Sequence, residues 1–361
     1  MSDNLRRYRA IRDALTQCYP GQPSGTVARH LITLAAFISG IVGSKSTQRP
    51  HSATKVPNGT KPASRVKRFA RWLDNAHLLE EVYLLPYAEV LLRHLALQTV
   101  VLVMDGSGVG RGCTALMLHV VDKGRALPRA WRVRQAPKGH VPAERHSALV
   151  DLISGLIPAG TPVVLRGDGA CDGPRLQQTL PRVGWSDACR TATRTVATGE
   201  GETFRREALG ACLKPGRLIA LQEVHGTREA YGPIMVLCCG ATGSPEPLYV
   251  VSTMATAEEA WRWYEKRFRI ETFFSDQKSR GFPIHKSHRS DVERLSRLFI
   301  ATCLAYIWIV YFGSIGTKDR WRHLIHRRKR CDVSLFQLGL RLLEYFLNEE
   351  MSIPVQFHVT I

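Results

Sequence analysis

The chain has 361 residues, 44% of them hydrophobic and 22% charged, which suits two or three folded domains and excludes wholesale disorder. Lys and Arg number 50 against 31 Asp and Glu, a formal charge of +19 with a pI near 9.9. A surplus of that size points to a polyanionic partner, either nucleic acid or an acidic membrane face.

The first residues, Met1 to Arg12, are polar and basic, so no cleavable signal peptide is expected. Helical apolar spacing runs over 5–17, 28–41 and 78–97. Between Asp13 and Asp74 there is no acidic residue but nine cations, among them Arg65, Lys67 and Arg68. Pro62 marks a helix start, and residues 65–72 form a basic helix face. The stretch 43–59, rich in Ser, Thr, Pro and His, reads as a loop. Residues 1–97 are therefore expected to be a helical, basic DNA-binding domain, with Arg65, Lys67 and Arg68 on phosphates.

The pattern changes at Thr99. Val100 to Met104 is a continuous apolar run ending in Asp105-Gly106-Ser107, which reads as a buried strand followed by a turn. Further strands are expected at 116–121 and 130–133, and a helix over 144–157. The strand at 162–165 ends in Arg166-Gly167-Asp168-Gly169, and a helix is expected from Gly173. Residues 185–252 read as β-rich. A helix follows over about 255–278, a long apolar helix over 291–312, and two more helical stretches at 321–330 and 334–347. The apolar run 299–315 is too short for a membrane span and reads as a buried helix. Strands alternating with helices give a mixed α/β fold. Nine cysteines occur with no C-x-x-C pair, which suits reduced core thiols in a cytoplasmic protein rather than a zinc cluster. His285 and His288 read as loop histidines beside a basic surface.

Two acids, Asp105 and Asp168, end apolar strands, where a charge is costly unless it meets a cation or substrate. Asp172 is a rival for the second place, but Asp168 directly follows the apolar run. A third acid comes from the helix at 255–278. At 100° per residue, Tyr264, Arg267, Glu271 and Lys278 fall within a stripe of about 60°, while Arg262, Glu265, Lys266, Arg269, Thr272 and Asp276 fill the opposite arc. Three charges in the centre of the face a helix normally buries are expensive unless they pair or meet a ligand. Three carboxylates at a sheet edge suit two hard divalent ions, the arrangement of metal-assisted phosphoryl transfer.

The spacing Tyr264-x2-Arg267-x3-Glu271-x6-Lys278 resembles the Y-(2)-R-(3)-E-(6)-K signature of the insertion-sequence-four family of DDE transposases. The resemblance implies an RNase H-like catalytic core over 98–312, carrying a β-rich insertion over about 185–252, between a helical N-terminal region and a basic helical C-terminal region over 313–361. It implies that Asp105, Asp168 and Glu271 hold two Mg²⁺ ions, for which Mn²⁺ substitutes, and that Tyr264, Arg267 and Lys278 grip the terminal phosphate and 5′ strand. Family members nick transposon ends, form and reopen a hairpin, and join the freed 3′-OH to target DNA. Some stack a flipped base on an insertion Trp; this stretch has no Trp between Trp185 and Trp261, and Tyr249 is the candidate in its place. The implied partners are the inverted-repeat ends, target DNA and a second copy of the chain on DNA, with no membrane, at the nucleoid of a bacterial cytoplasm. The alternative is a non-catalytic DNA-binding repressor or a co-opted derivative; a nuclease that cleaves without joining is a third reading.

Overall fold

The computed structural model describes residues 1–57, 59–136, 141–211, 213–240, 246–327 and 332–356. Six helices open the chain: α1 (Asp3–Cys18), α2 (Gly25–Ser44), α3 (Arg49–Thr54), α4 (Pro62–Asp74), α5 (Glu80–Tyr83) and α6 (Leu85–Leu95). The stretch 43–59, expected as a loop, thus contains the short α3, which begins beside Pro50 and lies against α2 where Gly40 leaves no room for a Cβ. Pro62 starts α4 because a helix's first N–H needs no partner. Phe69, Trp72 and Leu73 of α4 are buried, and Phe69 stacks on Phe37 of α2 with ring centroids 4.4 Å apart.

Among the described residues, ten strands then form one mixed sheet. They are β1 (Val100–Gly110), β2 (Cys113–Asp122), β3 (Arg125–Gln135), β4 (Val163–Gly167), β5 (Ser186–Arg190), β6 (Val196–Gly199), β7 (Glu202–Arg205), β8 (Leu218–Gly226), β9 (Tyr231–Cys239) and β10 (Leu248–Ser252), in the order β3-β2-β1-β4-β5-β10-β9-β8-β6-β7. β1, β2 and β3 are an antiparallel meander, whereas β4 runs parallel to β1 and β5 parallel to β4. Parallel neighbours need crossover helices, and α7 (Ala143–Ser154) and α8 (Pro174–Arg182) precede and follow β4. Short α9 (Glu207–Gly210) follows β7.

β1 does not turn at Asp105. It continues to Gly110, with Asp105 opposite Met117 and Gly106 opposite Leu116 on β2. Ladder hydrogen bonds to β2 outweigh the turn preference of Asp-Gly-Ser, and the reversal comes at Gly112, whose φ of 65° suits glycine.

The expected continuous helix over 255–278 is broken into four pieces. α10 (Ala257–Glu265) starts where the Thr256 hydroxyl accepts from the Glu259 N–H. One 3₁₀ turn (Lys266–Phe268), α11 (Arg269–Ser275) and a π-helical turn (Asp276–Arg280) follow. Each change of pitch rotates what comes after it, so Asp276, placed by the wheel on the solvent arc, is buried.

α12 (Val292–Gly316), α13 (Asp319–Ile325) and α14 (Leu335–Asn348) complete the chain. α2 and α12 are both long and apolar enough to cross a membrane, but 89% of α12's apolar window is buried inside the protein, as expected of a helix hydrophobic on all sides. α14 crosses α12 at Gly313 and Gly339, where no Cβ fits against the facing carbonyls. One cluster of buried apolar side chains runs from Ala10 through β1–β3 and α12 to Leu347. Arg6 also donates to the carbonyls of Leu347 (2.8 Å) and Phe346 (3.0 Å), so the two ends of the chain share a core.

Candidate active site

Parallel pairing of β1 with β4 sets Met104 beside Gly167, so the next residues, Asp105 and Asp168, emerge side by side. Gly167 has no space for a side chain, because the Cys171 side chain and the Cys189 sulfur fill it. Asp105 Oδ1 accepts from the Gly106 N–H at 2.7 Å. Asp168 Oδ1 accepts from the Ala170 N–H at 3.1 Å, a local turn that holds its carboxylate at the strand end. Burial pushes Asp105 up to about 7, and the neighbouring Asp168 adds to this through its charge and a shared hydrogen bond; the Gly106 N–H and Arg267 oppose it. Two carboxylates that share a hydrogen bond cannot both ionise cheaply.

Arg267 supplies the local counter-charge. Its guanidinium is buried, with Nη1 3.9 Å from Asp105 Oδ2 and Nη2 3.3 Å from Glu271 Oε1. Since one planar fork reaches both acids, their carboxylates lie at most about 10 Å apart. Glu271 stays 57% exposed on the far side of the guanidinium. Strand register thus sets Asp105 and Asp168 side by side, and Glu271 meets Asp105 through Arg267. Among the described residues no group of three His, Cys, Asp or Glu side chains is assembled for a metal ion.

Tyr264 lies at the centre of the stripe, as the wheel placed it, but it is a core residue, 1% exposed and in an apolar cluster with Val164, Met235 and Val250. Its ring contacts Trp261, and its hydroxyl side meets Arg267, so it positions that guanidinium rather than facing a phosphate. Lys278 sits half-buried on the π turn, its Nζ 5.8 Å from the Phe274 ring centre.

Tyr249 is not a stacking platform. It is 4% exposed, fills the space beside Gly210, and donates to the Glu207 carbonyl at 3.3 Å. α9, which carries Glu207 and Gly210, packs over the ring and buries it. Asp172 is tied up elsewhere, accepting from the Thr191 hydroxyl at 2.5 Å and facing the fully buried Arg206 at 3.6 Å.

The basic helix face is also rearranged. Arg65 donates to the Ala53 carbonyl (3.2 Å) and Arg68 to the Thr33 hydroxyl (3.2 and 3.0 Å), bracing α4 against its neighbours. Lys67 is exposed, and so are Lys61 and Arg71.

Arg166 was also missed. It is fully buried on β4, donates to the Trp263 carbonyl at 3.2 Å, and is pushed down to about 10 by burial and then by Arg269 and Arg267. The signal was present as an Arg inside an otherwise apolar strand, two residues before Asp168.

A family model described as a transposase DDE domain matches residues 120–308. The match begins after Asp105 and covers Asp168, Tyr264, Arg267, Glu271 and Lys278. No curated protein matches the chain. Among solved structures, one described as the piggyBac transposase synaptic complex with hairpin DNA is similar at a TM-score of 0.44 and 9% identity, covering 98% of this chain and 83% of that one.

Proposed function

We propose a function on one premise: the chain belongs to the transposase DDE domain family, whose model matches more than half of it. It is a divalent-metal-dependent DNA transposase that binds the inverted-repeat ends of its element, cleaves them, and joins the 3′-OH to target DNA. The observation that carries this reading is the Asp105–Asp168 pair on parallel neighbouring strands.

The donor set fits hard cations. Two carboxylates that hold one of their number up to about 7 are relieved by divalent charge, and oxygen is the ligand such ions prefer. Asp105 and Asp168 would hold the metal, with Glu271 joining them from α11. Two bound Mg²⁺ ions, replaceable by Mn²⁺, would activate the attacking oxygen and neutralise charge on the leaving one. Arg267, supported by Tyr264, keeps Asp105 and Glu271 associated, and Lys278 offers a cation to a phosphate oxygen. Lys67 and its exposed neighbours on α4 hold backbone phosphates away from the reacting centre.

Finer points of the reading have separate supports. The order β3-β2-β1-β4-β5, antiparallel then parallel, supports an RNase H-like core, with the strands after Trp185 as its insertion. The Tyr264–Lys278 spacing supports the insertion-sequence-four family, and with it a hairpin intermediate and a homodimer on DNA. The excess of 19 positive charges supports a nucleoid-associated, cytoplasmic protein.

The test uses duplexes carrying the DNA that flanks the gene, incubated with Mg²⁺. Wild type should nick and join them, and Glu271→Ala should bind them equally well without cutting. Nicking retained by Glu271→Ala rejects its place in the site. Binding without cleavage by wild type leaves a repressor.

A further inference from the structure

Away from the carboxylates, the segment before α3 and the segment before α12 enclose an open cleft of about 450 Å³, lined by residues 47–50, 287–291 and Arg294. Its walls are fastened together. The Thr47 hydroxyl donates to the Pro283 carbonyl (3.0 Å) and the Gln48 side chain to the Lys286 carbonyl (3.0 Å). The cleft is also fixed to the strand that carries Asp105. The Arg111 N–H donates to the Arg289 carbonyl at 2.9 Å, and Gly110 has no room for a Cβ against that carbonyl.

Three arginines face the cleft: Arg49, Arg289 and Arg294. Arg294 is paired with Asp74 at 2.7 Å, and Asp291 is occupied in capping α12. Neither the Arg49 nor the Arg289 guanidinium has a hydrogen-bond partner among the described residues, although both are partly buried. Burial lowers Arg289's proton affinity and Arg49 and Arg294 lower it further, while Asp74 and Asp291 oppose them; three arginines against the one lining acid, Asp291, leave the cleft positive. Among the described residues the Ser287 hydroxyl is buried there without a partner. Burial lowers the proton affinity of nearby His285, and Lys286, Lys278 and His288 lower it further.

Partly buried guanidinium groups placed together without acceptors are unfavourable unless an anion joins them, and their forked donors match phosphate oxygens. Resting on the transposase reading, we propose that this cleft seats one backbone phosphate of bound DNA, gripped by Arg49 and Arg289, at a fixed offset from Asp105. Through the β1–β2 hairpin the cleft sets the register of the duplex relative to the carboxylates.

The test is equilibrium binding of a short fluorescent duplex across a salt series, with wild type, Arg49→Ala, and Arg49→Ala combined with Arg289→Ala. The double variant should weaken binding to all sequences alike and lower the log–log salt slope by about one, while melting as wild type does. Arg49→Ala alone, which needs no change at the hairpin contact, should give part of that loss. A methylphosphonate scan should find one linkage whose neutralisation weakens wild type but not the double variant. An unchanged slope, or a scan identical for wild type and variant, overturns the cleft while leaving the transposase reading intact. A wild type that binds no duplex overturns both.

Discussion

The sheet edge and the broken helix deliver acids to the same site by opposite means. Asp105 and Asp168 are set by strand register, and their closeness follows from main-chain pairing alone. They bear a cost for it, because burial and like charge hold Asp105 up to about 7. Glu271 rides on a helix whose pitch changes immediately before and after α11, remains 57% exposed, and is held through Arg267. A fixed pair of carboxylates and an adjustable third follow from that difference: a strand ladder cannot shift one residue without flipping its side chains, whereas a helix interrupted by 3₁₀ and π turns can rotate.

The largest expected effect breaks the fixed half of the comparison. Asp105→Asn should take cleavage below detection while leaving duplex binding intact. It should also stabilise the metal-free protein. Asp105's folded-state value lies above its ordinary 3.8, so the folded protein keeps a proton that the unfolded chain releases, and stability falls as pH rises from about 4 to about 7. Above that range the penalty is on the order of a few kcal/mol, and Asn removes it. Thermal melts at pH 5 and pH 8 check this: wild type should lose stability between them, and the variant should lose less. Added Mg²⁺ should raise the wild-type midpoint at pH 8 and not the variant's. A wild-type melt indifferent to both pH and Mg²⁺ would remove the strained pair.

The adjustable half is probed next. Arg267→Ala strips the counter-charge from a largely buried pair, and a loss of about 3 kcal/mol is expected in urea unfolding at pH 8. The loss should shrink at pH 5, where Asp105 is protonated. Arg267→Lys should recover part of it without restoring the two-pronged contact. Equal losses at both pH values would show that Arg267 serves packing alone.

A smaller effect separates the cations of α4. Lys67→Ala with Arg71→Ala should lower the salt slope of DNA binding by about one to two without changing the melting temperature. Arg65→Ala with Arg68→Ala should instead destabilise by about 1–2 kcal/mol, because these side chains bond to Ala53 and Thr33. The converse pattern would return Arg65 and Arg68 to the DNA interface.

The smallest change is Tyr249→Phe. It removes one bond to the Glu207 carbonyl, costs about 1 kcal/mol, and should leave binding and cleavage untouched. A selective loss of cleavage would restore a role for Tyr249 at DNA.

Much of this architecture could be read from residues alone. The apolar runs before Asp105 and before Asp168 announced β1 and β4, and apolar spacing announced α1, α2, α7 and α12, because burial demands a contiguous apolar face or strand wherever it occurs, while Pro62 announced α4. Short β6 and β7 fall inside the β-rich stretch 185–252 but are not individually legible, since four-residue segments of mixed polarity become strands only through their partners. The Asp105 turn was misread for the same reason: β2 decided that β1 should continue.

Which residue types stand near the chemistry was written in the chain, as acids after buried strands and a polar stripe on a helix's inner face. Their individual roles were not. Tyr264 and Tyr249 carry hydroxyls fit for DNA, and Arg65 and Arg68 carry charges fit for phosphate, yet neighbours distant in sequence bury the first two and brace with the others. Hydrophobic periodicity is a local property and survives in the sequence, whereas exposure, partner choice and the pitch of a helix under load are set by what folds against them.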